Sequence, residues 1–103
     1  MTPPQLTEQQ RREALAKAAE ARRVRAEVKE LLKTGTVTFA ELLSRAEADP
    51  VIGGLKVESV LASMPGTGKV KAKRLMEAHG IADNRRIRGL GEKQRSALLA
   101  DFS

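Results

Sequence analysis

The sequence predicts an all-α fold, a long N-terminal helix followed by a small helical domain, and three observations predict it. Apolar positions are filled by Leu, Val, Ile, Ala and Met, with Phe39 and Phe102 the only aromatic residues. Such an alanine-rich palette with few β-branched runs favours helix over strand. Thr residues followed three positions on by Gln or Glu, and Gly or Pro further along, punctuate the chain as helix starts and stops. With 103 residues and no cysteine, the chain can build one small core, with neither disulfides nor thiolate metal sites to support it.

The elements follow in order. Met1–Leu6 contains Pro3 and Pro4 and reads as an extended lead, because proline disfavours helix at and before its own position. Thr7 and Gln10 form a capping box that opens a helix running to about Lys33, where Thr34-Gly35 ends it. The large apolar residues on this helix are Leu15, Val24, Val28, Leu31 and Leu32. Residues 8–23 therefore have little to bury and are predicted to project from the domain or fray, whereas residues 24–32 pack on the core.

Thr38 and Glu41 make a second capping box, opening a short helix with Phe39, Leu42 and Leu43 inward. Asp49-Pro50 ends it, and residues 51–54 read as a turn. A helix near Val57–Ser63 turns Val57, Val60 and Leu61 inward and stops at Met64-Pro65-Gly66. The next opens near Lys69 and reaches His79, with Gly80 as the residue after its end. His79 is expected to cap that helix or face water. Ile81 returns to the core, Ala82–Arg86 is expected to form a short helix, and a last helix spans about Glu92–Asp101. Residues 1–33 thus form a lead and a long basic helix, and residues 34–103 a compact helical domain with hairpins at 64–69 and 87–92.

The net charge is +6, and it is unevenly placed. Residues 1–33 carry eight Lys/Arg against five Glu, residues 34–63 two against four acids, and residues 64–103 nine against four. Attraction to a polyanion would therefore act through the C-terminal part, with the first helix assisting. No apolar run is long enough to cross a membrane, and no apolar segment follows a basic N-terminus, so the expected location is the cytoplasm.

The C-terminal part also repeats itself. Gly66 and Gly68 correspond to Gly89 and Gly91, and Leu75-Met76 to Leu98-Leu99, at an offset of 23 residues. Each copy reads X-Gly-X-Gly and leads into a helix with cationic residues. Closely spaced glycines allow a tight turn and leave backbone amides unshielded. The first N–H groups of a helix have no internal partner, so a phosphate can accept from them and gains from the helix dipole. Lys69, Lys71, Lys73 and Arg74 surround the first turn; Arg85, Arg86, Arg88, Lys93 and Arg95 surround the second. Two such cups suit a repeating phosphate backbone better than a single nucleotide. A nucleotide-binding P-loop is excluded on residues: the leading glycine is missing and Val70 stands where Ser or Thr would hold magnesium.

Leu61-x-x-Met64-Pro-Gly-x-Gly-Lys69-x-x-Ala72-x-x-Leu75 resembles the hairpin signature of helix-hairpin-helix and helix-two-turn-helix nucleic-acid-binding modules. The wider chain is similar to the integration host factors of actinobacteria. The similarity runs through residues 4–11, the Ala/Arg-rich first helix, and most specifically residues 51–77 and 85–99. It implies a nucleoid-associated protein that binds double-stranded DNA with little sequence preference, bends or compacts it, and assists architectural reactions such as site-specific recombination. The implied backbone-binding hairpin falls on Pro65, Gly66, Thr67, Gly68 and Lys69, and the arginine-rich second site on Arg85, Arg86, Arg88, Gly89 and Gly91. Lys71, Lys73, Arg74 and Lys93 extend these sites, and Arg22, Arg23 and Arg25 could reach flanking phosphates. Glu20, Glu27 and Glu30 are close enough along the helix to compete for those three arginines.

No enzyme, cofactor or metal is expected. The same module occurs in DNA glycosylases, but those need a pocket for a flipped base and a nucleophile, for which this chain has no room. A lone histidine without cysteine makes no transition-metal site. Structured RNA remains an alternative ligand, although single-stranded RNA would call for stacking aromatics. A protein-interaction adaptor is the other alternative. The alanine-rich seam of the first helix is poor in large residues and points to a monomer in solution.

Overall fold

The computed structural model describes residues 7–102 and is all-helical over that range. The expected extended lead at Pro3-Pro4 lies outside the described residues. Six α-helices follow in order: α1 (Glu8–Lys33), α2 (Phe39–Ala48), α3 (Pro50–Gly53), α4 (Val57–Ser63), α5 (Gly68–Ala78) and α6 (Glu92–Asp101). A single 3₁₀ turn, Ile87–Gly89, precedes α6.

Local chemistry sets the helix ends. Thr7 Oγ1 accepts from the Gln10 N–H at 3.1 Å while Gln10 Oε1 accepts from the Thr7 N–H at 2.9 Å. Thr38 and Glu41 repeat the arrangement at the start of α2. The Asp49 carboxylate accepts from the Val51 N–H and starts α3, with Pro50 in its first turn, where its missing N–H does no harm. Residues 51–54, expected as a turn, are mostly taken into this one-turn helix.

Two glycines end helices in the left-handed conformation: Gly35 at φ +76° and Gly80 at φ +66°. The Ile81 N–H then bonds the Met76 carbonyl at 2.8 Å, and Ile81 itself is buried.

The core gathers one face of each element. Leu32, Phe39, Leu42, Val57, Val60, Leu61, Met76, Ile87 and Leu98 are sealed from water. Phe102, just past α6, packs on Phe39 with ring centroids 5.5 Å apart, which returns the chain's end to the start of α2. The helix α1 contributes only its last turns: Val28 and Leu32 are buried and Val24 and Leu31 partly so, whereas residues 7–20 are exposed throughout. A helix of 26 residues is about 39 Å long at 1.5 Å per residue, which accounts for a longest molecular dimension of 49 Å. No described helix is long and apolar enough to cross a membrane.

The segment 82–86 departs from the sequence reading. After a turn closed by the Arg85 N–H on the Ala82 carbonyl, the chain runs extended rather than helical. It pairs antiparallel with the link between α3 and α4: the Val57 N–H donates to the Arg85 carbonyl and the Ile87 N–H to the Leu55 carbonyl, each at 2.9 Å. Buried Ile87 and this two-bond bridge outweigh the local preference for helix, because both partners of the bridge are peptide groups that packing would otherwise leave unpaired. His79, read as a cap or a solvated residue, is the C-cap of α5, its N–H bonding the Leu75 carbonyl; its side chain also places Nε2 2.7 Å from Asp101 Oδ2 and joins the ends of α5 and α6.

Candidate nucleic-acid interface

The hairpin between α4 and α5 is the sharper of the two predicted sites. The α4 helix ends at Met64, whose N–H bonds the Leu61 carbonyl, and the Thr67 N–H closes a turn on the Met64 carbonyl, both at 3.1 Å. Gly66 and Gly68 lie at φ +73° and +69°, two left-handed residues within three positions, which only glycine adopts without strain. A β-carbon at either would meet nothing within 4 Å, so the surface here is open. The N–H groups of Gly66, Gly68, Lys69 and Val70 find no acceptor within the described chain. They form a concave array of donors at the start of an 11-residue helix, the arrangement that accepts a phosphate oxygen.

Charge surrounds this array. Lys69, Lys71, Lys73 and Arg74 are exposed and make no ion pair or side-chain hydrogen bond among the described residues. Ala72 and Met76 point into the core, so Lys69 and Lys73 share one flank of α5 and Lys71 lies on the other. Val70, 69% exposed, stands in the first turn. Lys33, from the end of α1, faces Pro65–Gly68 across a shallow depression, a neighbour that composition alone did not single out.

The second site is built differently. Gly89 and Gly91 do not take the left-handed conformation, and Gly91 sits at φ −70°. Their amides are occupied: the Gly89 N–H bonds the Arg86 carbonyl, the Leu90 N–H the Ile87 carbonyl, and the Gly91 N–H the Gln94 side chain at 3.0 Å. The sequence echo is therefore not an echo in backbone conformation. What the second site offers is guanidinium and ammonium groups held by a short rigid loop.

Its arginines are divided by Ile87. Arg85 reaches forward to the Gly89 carbonyl at 2.8 Å and staples the loop. Arg86 donates to the Gly54 carbonyl and ties the loop to the end of α3. Arg88 makes no side-chain hydrogen bond or ion pair among the described residues and faces a depression with Ala46, Glu47 and Arg95. Arg95 bonds Glu47 at 3.3 Å, and Lys93 is exposed. Arginine has five donors, so one bond to a carbonyl leaves Arg85 and Arg86 able to meet a phosphate as well.

On α1, Arg23 lies between Glu20 and Glu27 and pairs with both, as helix spacing suggested. The hydrogen bond from Arg23, reinforced by its charge, holds the Glu20 carboxyl below its ordinary range. Arg22 and Arg25 carry no such partner among the described residues. No cluster of metal-ligating residues occurs among the described residues.

Comparison with known proteins gives concordant results. The family model for the S13-like H2TH domain matches residues 32–102. The chain is 51% identical over 102 residues to an integration host factor of Mycobacterium tuberculosis, covering 99% of this chain and 97% of that one. It is 48% identical to an integration host factor of Streptomyces coelicolor, covering 99% and 95%. A solved structure of sIHF bound to an 8-bp palindromic DNA superposes with a TM-score of 0.83 at 46% identity, covering 85% of this chain and 99% of that one.

Proposed function

The chain belongs to the actinobacterial integration host factors, carrying their H2TH domain, and from that premise we propose that it is a nucleoid-associated protein that binds double-stranded DNA through its backbone. It acts as an architectural protein of the nucleoid, bending or compacting the duplex with little regard to sequence, and takes no part in covalent chemistry. The observation that carries this reading is the set of N–H groups on Gly66, Gly68, Lys69 and Val70, beside the side chains of Lys69, Lys73 and Arg74, all without a partner among the described residues. Amides at a helix start and flexible ammonium groups recognise phosphate, which every sequence presents alike. The DNA-bound state of the similar sIHF structure supports the ligand class.

In this reading Pro65, Gly66, Thr67, Gly68 and Lys69 seat one phosphate, with Lys71, Lys73 and Arg74 on its neighbours. Arg85, Arg86, Arg88 and Lys93 form the second contact on the loop shaped by Gly89 and Gly91. Arg22 and Arg25 are the arm residues able to reach flanking phosphates, and Arg23 serves mainly within α1. The compact module of residues 34–103 does the binding as a monomer, and the arm adds to it. Bending arises from phosphate contacts placed unevenly around the duplex.

The test is a binding titration with a duplex of about 25 bp, and with its RNA counterpart, from about 50 to about 300 mM salt. Wild type should bind DNA with a steep salt dependence that scrambling the sequence leaves unchanged. Lys69→Ala/Lys73→Ala should lose about 1.8 from the slope, near 0.9 per phosphate contact. Equal or tighter binding to the RNA duplex would replace this reading with a structured-RNA one, and binding to neither would favour a protein partner.

A further inference from the structure

We infer that Lys56, which stands in the acid-rich middle of the sequence, is a phosphate-binding residue that joins the two hairpins into one cationic surface; the inference rests on the duplex-binding reading above. Lys56 lies directly opposite Arg86 in the antiparallel bridge. The two hydrogen bonds of that bridge, Val57 N–H to Arg85 and Ile87 N–H to Leu55, flank the pair rather than join it. Lys56 and Arg86 therefore form the non-hydrogen-bonded kind of pair, whose α-carbons approach to about 4.5 Å and whose side chains project to the same side.

Like charges facing each other in that geometry are unfavourable. Arg86 turns its guanidinium to the Gly54 carbonyl, which leaves Lys56 exposed and without a hydrogen-bonded or ion-paired partner among the described residues. An anion bound over the pair would remove the repulsion.

The surroundings indicate which anion. Lys56 is the N-cap residue just before α4, and the donors of Gly66, Gly68, Lys69 and Val70 follow the other end of that same seven-residue helix. Between them runs a groove lined by Lys56, Glu58, Ser59, Ala62 and Lys69, in which Glu58 forms no ion pair with either lysine. Small side chains along its floor let an extended polyanion lie close to the helix. A helix of seven residues is about 10 Å long, so Lys56 and the array are spaced for two phosphates of one backbone rather than two oxygens of one phosphate. A duplex strand, with one phosphate about every 3.4 Å of helix axis, fits that spacing.

The test is the salt titration of the full chain on a duplex of about 25 bp, with Lys56→Ala and Lys56→Arg, together with thermal unfolding of each. Loss of one phosphate contact lowers the slope of log affinity against log salt by about 0.9, and so weakens binding about eightfold near 0.1 M salt but only about threefold near 0.3 M. Lys56→Arg should restore the slope. Lys56→Ala should unfold at the same temperature as wild type or higher, because it removes a like-charge pair. A wild type that binds and a Lys56→Ala variant that titrates identically would overturn this inference alone. A binding loss that comes with a lowered unfolding temperature and no change of slope would assign Lys56 a structural role and overturn it too. A wild type that fails to bind the duplex would overturn the duplex-binding reading with it.

Discussion

Gly66→Ala and Gly91→Ala fall in the two copies of the sequence echo, yet the structure predicts opposite effects on stability. At Gly66 an added methyl group meets nothing within 4 Å, so no steric clash contributes. What remains is φ +73°, where a residue with a β-carbon is disfavoured by about 1–2 kcal/mol. At Gly91 φ is −70°, which alanine adopts freely. Its methyl group would lie 3.4 Å from Gln94 Oε1, the far end of a side chain that can shift. There the substitution restricts the unfolded chain and stabilises by about 0.4–1 kcal/mol. In a domain of this size each kcal/mol moves the midpoint by about 4–8 °C. Thermal unfolding followed by far-UV circular dichroism should place Gly66→Ala roughly 5–15 °C below wild type and Gly91→Ala at or a few degrees above it. Equal losses at the two positions, or a neutral Gly66→Ala, would refute the assignment of left-handed backbone to the first hairpin alone.

Other substitutions test the core and the arm. Phe39→Ala removes a fully buried ring and its contact with Phe102, and should cost about 3–5 kcal/mol in urea unfolding. Thr38→Ala deletes the cap of a helix that packs in the core and should lower global stability by about 1 kcal/mol. Thr7→Ala deletes an equivalent capping box at the far end of the arm, where residues 7–20 are all exposed, and should reduce helical signal without moving the global midpoint.

Where local chemistry decides, the sequence was legible. Both capping boxes, the glycine stops at Gly35 and Gly80, and the inward faces at Phe39/Leu42/Leu43 and Val57/Val60/Leu61 follow from spacing alone. The first hairpin was legible because Pro65, Gly66 and Gly68 have few other uses so close together. The residues around Arg86 were not. Their extended conformation depends on Leu55–Val57, far earlier in the chain, and no periodicity in five residues announces a two-bond bridge. That same partnership hid Lys56, which looks ordinary until the bridge sets it beside Arg86. The pairing of His79 with Asp101 was hidden in the same way, since it joins the far ends of two helices. The Gly89/Gly91 echo misled for a different cause: a glycine can be present for its small size, and its spacing does not report the sign of φ.

The bridge between Leu55–Val57 and Arg85–Ile87 also has a mechanical meaning. A duplex held by both hairpins and bent between them would exert a restoring force, and this seam is where that force would cross the protein. Bending a short duplex stores on the order of 1–6 kcal/mol. The seam resists with two backbone hydrogen bonds, each worth about 0.5–1.5 kcal/mol net, and with the burial of Ile87, worth about 1.5–3 kcal/mol. These magnitudes are comparable, so in such a complex a softer seam would yield before the duplex curved, leaving the DNA straight and the hairpins splayed.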